Sequence, residues 1–496
     1  MTFKPAVHSL TCRSSGKSSV RRSLTLVVAT MLIIAIIGFI GVICVVDRAP
    51  RLLGPYLELR SRGHNVLIEQ AGVEINRLLQ WLDRGQLSPR LEYPQWAVAL
   101  ANRSAIPSVA IVGRIVLVAS ETNFRVALNE AEPGDVIKLM PGIYNFEGNS
   151  LDILRSGRPD MPIEVRAQLP GTVTLNFSLL EGFHVQAPYW RFENLKIIGV
   201  CSNHNDCEHA FHVVGNAHDV VIRGNDIRDF NAHIKINGSG VNFPDGGRIE
   251  GNQLTNQVPR WTDAPVTFID LVAASGWHIE GNLIADFVKA GGNLTSYGAF
   301  AKGGGSGNSF VRNVVLCEHR LRGLVGQRVG LSFGGGGTSD LSCRDKRCVV
   351  EQNGGLIRDN LISSCSDDGI YINRSAQTEI LNNTLLDTAG INIRFAESSA
   401  FVDGNLLDGP IIARAGAILH QGDNLSAVLG FIYLGLERQR SQFLAKADLD
   451  LRWYGAPSLR ARGKISSVDL CGTRRNSTTP YGAFENFETC LAFSHR

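Results

Sequence analysis

One asparagine recurs in a fixed setting through the middle of this chain: "YWRFENLKIIG", "VIRGNDIRDF", "RIEGNQLTN", "HIEGNLIADF", "FVRNVVL", "LIRDNLISS", "EILNNTLLD" and "FVDGNLLDG". The positions are Asn194, Asn225, Asn252, Asn282, Asn313, Asn360, Asn383 and Asn405, at spacings of 31, 27, 30, 31, 47, 23 and 22. A self-similar unit of ~20–50 residues marks a solenoid, because one unit cannot bury its apolar face alone. The shortest spacings, 22 and 23, fit three short strands with their turns, since a strand rises only ~3.3 Å per residue. The pattern therefore predicts an all-β fold, a right-handed parallel β-helix over residues 108–425. Asn tolerates the left-handed backbone of a tight turn, and its amide can bond to the next Asn in a stack. Longer spacings mean a coil plus a loop, and the 47 is either two coils or one coil with a long insertion. Leucine-rich repeats share the period, but their L-x-x-L-x-L frame and helical side are missing.

The flanks read differently. Residues 1–23 hold five basic side chains (Lys4, Arg13, Lys17, Arg21, Arg22) and no acid, which exceeds the whole chain's net charge of +3 and leaves the remainder slightly acidic. A body without a basic excess argues against a nucleic-acid partner. Residues 24–46, "LTLVVATMLIIAIIGFIGVICVV", are uncharged and mostly apolar. Such a run suits a transmembrane helix, which needs ~20 residues, better than the ~7–15-residue apolar core of a cleaved signal. The positive-inside rule then keeps the leader cytoplasmic and puts the β-helix in the periplasm or outside the cell. In the juxtamembrane region and linker, 47–107, Leu67, Ile68, Ala71, Ile75, Leu78, Leu79 and Leu82 recur at helical steps within 56–85. They predict an amphipathic helix that lies on the membrane or packs against the next domain. "ETNFRVALNEA" predicts a short helix capping the open end of the solenoid, and 426–496 forms a C-terminal cap region.

Eight cysteines follow the apolar stretch, with close pairs at Cys201/Cys207 and Cys343/Cys348. In an oxidising compartment these predict disulfide-stapled loops. Neither pair has the two-residue spacing of a zinc knuckle. Cys317, Cys365, Cys471 and Cys490 are left unassigned.

A solenoid shows alternate strand residues on one face, and that face binds extended polymers. The outward set after each turn reads His233, Lys235 and Asn237, then Tyr371 and Asn373, then Asn392 and Arg394, with Ile234, Ile236, Ile370, Ile372, Ile391 and Ile393 inward. Basic, aromatic and amide groups together suit an acidic polysaccharide, although polar outer faces are general in solenoids. From Lys302 to Arg347 eight basic residues, Arg312, Arg320, Arg322, Arg328, Arg344 and Lys346 among them, face only Glu318, Asp340 and Asp345. Glycines in "KGGGSGN" and "GLSFGGGGT" would let a ligand approach the backbone.

Residues 115–425, on "ALNEAEPGDVIKLMPGIYNF", "PIEVRAQLPGTVTLN" and "YWRFENLKIIG", resemble the right-handed β-helix proteins grouped with chondroitinase B and the alginate lyases. "DLCGTRR…YGAFE" resembles the D-x-x-G-x-x-R…G-A-F-E ending of bacterial β-helix surface proteins. The resemblance implies β-elimination at uronates. A Lys takes the C5 proton, an Arg assists at the leaving oxygen, and Ca²⁺ held by an Asn and two Glu neutralises the carboxylate. The family's K-S-x-x-N corresponds to "KGGGSGN" and places the base at Lys302. The two Glu positions are Thr295 and Tyr297 here, and Gly334 stands where the Arg belongs. Calcium is therefore not matched, and no cofactor is expected. Arg320, Arg322 or Arg344 would have to meet the carboxylate, with Arg320 and Arg322 the catalytic candidates beside Lys302. A rival pair, Asp367 and Asp368 in "SDDGI", resembles the aspartates of β-helix pectin hydrolases, but the N-T-D, G-H-G and R-I-K signatures are missing and Asp368-Gly369 suits a turn. Two readings stand: a lyase acting on acidic polysaccharide, and a non-catalytic glycan-binding or envelope scaffold.

Overall fold

Each Asn-centred repeat folds as three short strands, and successive repeats stack so that every strand pairs in parallel with its counterpart one coil away. Three sheets result. Sheet A has twelve strands, from Ile115–Val118 to Ile418–Gln421. Sheet B has ten, from Gly142–Glu147 to Leu406–Leu407, and sheet C ten, from Leu151–Ile153 to Ile411–Arg414. The protein is a parallel β-helix. This computed structural model describes residues 26–34, 38, 48–84, 90–102, 113–335, 337–434, 443–445, 449–461, 463 and 467–493.

Alternation sends one residue of each short strand inward, in register from coil to coil. The centre of sheet A reads Phe192, Ile222, Ile249, Ile279, Phe310, Ile357, Ile380 and Val402. All of them are fully buried. In sheet C, Ile234, Ile236, Ile370, Ile372, Ile391 and Ile393 point inward as expected. Burying a column of Ile and Phe side chains at ~1.5–3 kcal/mol each is what opposes the chain entropy.

Between sheets A and B lies the Asn column. Each Asn Oδ1 accepts from the backbone N–H and the Nδ2 of the Asn one coil earlier, at 2.8–3.1 Å, from Asn225 to Asn424. Two details differ from the sequence reading. The left-handed residue is the one before each Asn: Gly224, Gly251, Gly281, Arg312, Asp359, Asn382 and Gly404 all have positive φ. Asn194 (φ 59°) belongs to that set, so the column starts at Asn225, whose Oδ1 accepts from Leu195 N–H. The interval from Asn313 to Asn360 is one coil, since Ser309 pairs directly with Leu356.

The turns are unequal. Every A-to-B turn from residue 194 onward is two residues long, as at Gly224-Asn225 and Asp359-Asn360. Length varies in the B-to-C and C-to-A turns, and both flank sheet C. The largest insertion follows Gln327–Phe333 and carries the Cys343–Cys348 disulfide. The other bridges are Cys201–Cys207, Cys317–Cys365 and Cys471–Cys490.

The other two sheets have their outer faces occupied. Leu283, Val314, Leu316 and Leu361 of sheet B are covered by the helix Gln95–Asn102 and the C-terminal cap, with Trp96 edge-on to Phe487. The cap's D-x-x-G-x-x-R…G-A-F-E residues explain themselves. Asp469 accepts from Thr473 and Glu485 N–H, while buried Arg475 bonds Asp359 Oδ1 at 2.6 Å and Gly482 O at 3.0 Å. Sheet A carries an ion ladder, with Arg223 on Glu250 and Arg312 on Glu280. Sheet C keeps a walled outer face.

At the N-terminal end, Glu121–Asn129 caps the solenoid, burying Phe124, Ala127 and Leu128. The chain divides into two units, Met1–Arg48 and Ala49–Arg496. In the first, 26–34 and 38 are helical; the leader 1–23 and the rest of 24–46 lie outside the described residues. Among the described residues no helix is long and apolar enough to cross a membrane. The juxtamembrane segment is a pair of helices, Pro50–Ser61 and Val66–Arg84, broken at Gly63 (φ 81°). Buried Arg51 joins the two helices through Asp83 Oδ1 at 2.8 Å and ties the pair to the solenoid through Cys365 O at 2.7 Å and Asp387 Oδ1 at 3.0 Å. The buried side of the second helix is Gly72, Asn76, Leu79 and Asp83, whereas Leu67, Ile68, Ala71, Ile75 and Leu78 face outward.

Candidate functional site in the sheet C groove

Two rows of the sheet C face define the site. One runs Lys235, Asp270, Phe300, and the other, two residues further along the strands, runs Asn237, Val272, Lys302. Adjacent members of a row are one rung apart, ~4.8 Å. Long turns rise on either side. Asp263, Lys289 and Asn293 come from B-to-C turns, and Gly335 to Ser342 from the C-to-A insertion. They enclose a cavity of about 730 Å³.

Its floor is partly aromatic: Phe300 packs with Val272 and Ala273, and Tyr297 and Phe243 lean against them. Lys302 Nζ stands 4.6 Å from the Phe300 ring centroid. Among the described residues it takes no hydrogen bond or ion pair. Burial pushes the Lys302 amine below its usual range; Asp270 opposes this and Lys235 adds to it. Lys235 bonds Asp270 Oδ2 at 2.6 Å, leaving the buried Asp270 Oδ1 without a partner. Lys289 is held by Asp263 O and Asn293 Oδ1, both at 3.1 Å. Burial also raises the Tyr297 phenol, which therefore stays protonated. The groove offers apolar ring surface, three ammonium groups and one phenol, with a poorly solvated amine at its centre.

Of the residues picked out from sequence, Lys302, Lys235 and Asn237 meet here. His233 does not, since it is completely buried behind the sheet, against Phe268, with Nε2 on Thr255 O at 3.2 Å. The alternation fails there because Ala232, His233 and Ile234, the first three residues of the strand Ala232–Asn237, are all buried. Arg320 and Arg322 sit in a B-to-C turn on the side of the helix pair. Arg320 lies over Tyr93 and bonds Gln257 Oε1, and Arg322 pairs with Asp387. Arg344 is clamped on Asp245 by two bonds of 2.7 Å and stacks on Phe243. Arg312 stands in an A-to-B turn and pairs with Glu280 of sheet A, and Arg328 is buried beside Glu318. The basic excess read between Lys302 and Arg347 is thus dispersed, and its arginines do not converge on Lys302.

Tyr371, Asn373, Asn392 and Arg394 continue the same face toward the C-terminus. Tyr371 pairs in register with Ser332, the neighbour of Phe300. Asn373 donates to the Tyr371 hydroxyl at 3.2 Å, Asn392 donates to Asp368 Oδ2 at 2.7 Å, and exposed Arg394 lies over Phe395. Asp367 and Asp368 are nearly buried at the corner entering this strand.

Calcium does not fit the residues present. Thr295 and Tyr297 line the groove at the two positions where the family resemblance asks for glutamates. Gly334, where an Arg would belong, has φ 72°, and a Cβ there would run into Asn373 O. Asp270, Phe300, Lys289 and the insertion wall were missed in the sequence. The strand "VTFIDLV" is buried throughout, so it shows no alternation from which the facing of Asp270 could be read.

No protein-family model matches the chain. Pectate lyase L of Dickeya chrysanthemi is 31% identical over 114 residues, covering 19% of this chain and 27% of that protein. Pectate lyase L of Dickeya dadantii (strain 3937) is 30% identical over 111 residues, covering 18% and 26%. The chain thus spans about a quarter of the length of the curated relatives it matches. Among solved structures, pectate lyase Pel9A superposes with a TM-score of 0.49 at 15% identity, over 79% of this chain and 100% of that one. An alginate lyase from Paenibacillus sp. str. FPU-7 gives 0.36 at 16% identity, over 63% and 95%. The family-6 polysaccharide lyase Pedsa3628 from Pseudopedobacter saltans gives 0.38 at 14%, over 64% and 93%. These matches are to polysaccharide lyases, and the chain's own stacked parallel sheets make it a parallel β-helix.

Proposed function

We propose that this protein cleaves an acidic, uronate-bearing polysaccharide in the sheet C groove by β-elimination, with Lys302 as the base. The observation that carries the reading is Lys302 itself, a desolvated amine without a hydrogen-bond partner among the described residues, set on an aromatic floor between polar walls. A base of lowered pKa is what abstraction of a weakly acidic C–H requires at neutral pH. In this reading the neutral Lys302 takes the proton at C5. A C4–C5 double bond forms as the C4–O bond breaks, and Tyr297, kept protonated by burial, gives its proton to the leaving oxygen. Lys289, on the groove wall and bonded to the neutral oxygens Asp263 O and Asn293 Oδ1, supplies positive charge to the polymer's carboxylates, at a strength raised by the partly desolvated setting.

The second reading, a glycan-binding protein without catalysis, is favoured by one observation: Arg320, Arg322 and Arg344 are all committed elsewhere. Ultraviolet absorbance of unsaturated uronate, followed on pectate, alginate, chondroitin and heparan with the full-length chain, separates the two. The lyase reading expects a rise on one polymer that Lys302→Ala abolishes. Retardation of a polymer without any absorbance rise would leave the binding reading.

We further propose that the chain is anchored to a membrane with the β-helix outside the cytoplasm. The apolar stretch 24–46 behind a basic leader supports this, as does the outward stripe Leu67, Ile68, Ile75 and Leu78 beside Trp81. Full-length protein should resist carbonate extraction from membranes and dissolve in detergent; recovery in the carbonate supernatant would sink the idea.

A further inference from the structure

Toward the N-terminal end of the same face the rows are rich in histidine. Asp152, His184 and His212 follow one another in register on three successive strands, ahead of Lys235. The His184 and His212 rings stack with centroids 5.5 Å apart. Glu181, at the corner where the chain enters sheet C, reaches back to His212. One oxygen of Glu181 and one ring nitrogen from each histidine all lie within 4.8 Å of one another, half-buried.

The hydrogen bonds around His212 make this more than a cluster. Asn237 Nδ2 donates to Gly238 O at 3.1 Å, which turns its Oδ1 toward His212. That Oδ1 sits 2.8 Å from His212 Nε2, so Nε2 carries the proton. Nδ1 then presents its lone pair to Glu181 Oε1 at 2.8 Å. A lone pair facing a carboxylate is repulsive unless a positive species stands between them. Either a second proton or a metal ion meets that need. Asn237 already plays the part of an outer partner, which holds a metal-ligating histidine in one tautomer through its other ring nitrogen.

We propose that Glu181, His184 and His212 bind a divalent transition-metal ion of the zinc class, through His212 Nδ1, a His184 ring nitrogen and a Glu181 oxygen. Two imidazoles and one carboxylate form a borderline donor set suited to zinc, whereas calcium takes ~6–8 oxygens. Zn–N and Zn–O bonds of ~2.0–2.2 Å in a tetrahedron bring ligand atoms to about 3.4 Å apart. The three side chains therefore close slightly on the ion, and as partly exposed groups they are free to do so. Asp152, whose Oδ1 is 2.9 Å from His184 Nδ1, or a solvent molecule completes the fourth position. The charges suit a dication: Glu181 and Asp152 are on hand, and the neighbouring Lys235 is already paired with Asp270. His212 is three rungs, ~14 Å, from Phe300 along the same row. The site therefore stands at one end of the groove, separate from Lys302, and the inference holds whether or not the groove is catalytic.

The test uses the full-length chain after dialysis against a chelator. Titration calorimetry with zinc chloride should show one ion per chain, and calcium chloride should bind at least tenfold more weakly. Cobalt(II) in place of zinc should give the visible d–d bands of a tetrahedral site, and X-ray absorption should report imidazole scattering. His184→Ala and His212→Ala should remove the bands, and Asn237→Ala should weaken zinc by about 10–100-fold. Absence of zinc uptake by the wild-type protein, equal uptake by the well-folded His212→Ala variant, or calcium binding as tight as zinc would each overturn the proposal. If either histidine variant fails to fold, imidazole scattering from the wild-type protein decides it alone.

Discussion

Burial lowers the pKa of both Lys302 and His233, with opposite consequences. At Lys302, under the proposed elimination, the shift would serve chemistry: a base must be neutral, and desolvation makes the neutral amine more abundant at a given pH. The rate of uronate elimination should rise with pH and level off below 10.5, the amine's ordinary value. A pH profile of kcat/KM checks this, and Lys302→Ala should cost about 10²–10⁴-fold. At His233 the shift governs stability. The folded imidazole stays neutral down to about pH 3, whereas the unfolded one takes a proton near 6.5. Between those values the unfolded state binds more protons, so stability falls as pH falls. From pH 7 to 5 His233 alone should account for a loss of about 2 kcal/mol. His233→Phe, placing a ring against Phe268, should flatten that part of the urea-midpoint profile. The two residues also show what sequence can tell about a site. Lys302 was singled out through a family motif that this chain matches only with two extra residues, whereas His233 was placed outward by counting in twos through the start of Ala232–Asn237, where consecutive residues are all buried.

The Asn column is the element most open to reading, because one residue type does one job at each coil. Its start was misplaced for a physical reason: Asn suits two adjacent positions of the turn, the left-handed one that Asn194 holds and the bonding one that Asn225 holds. Asn424 escaped notice because no apolar pair of the usual form follows it. Removing a middle member strands several partners at once. In Asn313→Ala, Asn282 N–H and Asn360 Oδ1 both lose a buried bond, as does Ile279 O. At ~1–3 kcal/mol for each group left unsatisfied, a loss of about 2–4 kcal/mol is expected after relaxation. Asn424→Ala, at the partly exposed end of the column, should cost about 1 kcal/mol. Urea unfolding of the two variants side by side checks the gradient. The juxtamembrane helix pair was harder to read. Its apolar residues do recur at helical steps, but the buried side is Gly72, Asn76, Leu79 and Asp83, chosen by close helix contact and by Arg51. A periodicity of apolar residues cannot reveal a stripe held by small and polar ones.

At the scale of the molecule, the outer surface of each sheet has a different task. Sheet A is a charge ladder, sheet B is roofed by Gln95–Asn102 and the C-terminal cap, and sheet C floors the groove. The cap is fastened by Arg475 on Asp359, an ion pair with neither side chain exposed. Arg475→Ala leaves a buried carboxylate short of its partner and should destabilise the protein by roughly 3 kcal/mol. Limited proteolysis should then cut first within 426–496, while thermal unfolding of the solenoid shifts less. The stack of coils was legible in sequence because each repeat restates the same local rules. The groove was not, because its walls come from turns that obey no repeat at all.

That difference between the turns has a bearing on how such a chain can diversify. The two-residue A-to-B corner admits no extra residue, since one insertion would shift Asn225 or any of its successors away from the amide it must meet. The other two corners tolerate lengthening freely, because doubling a loop costs only about 0.6 kcal/mol in closure entropy. Lineages descended from this architecture can therefore exchange the walls around sheet C while inheriting the amide column unchanged.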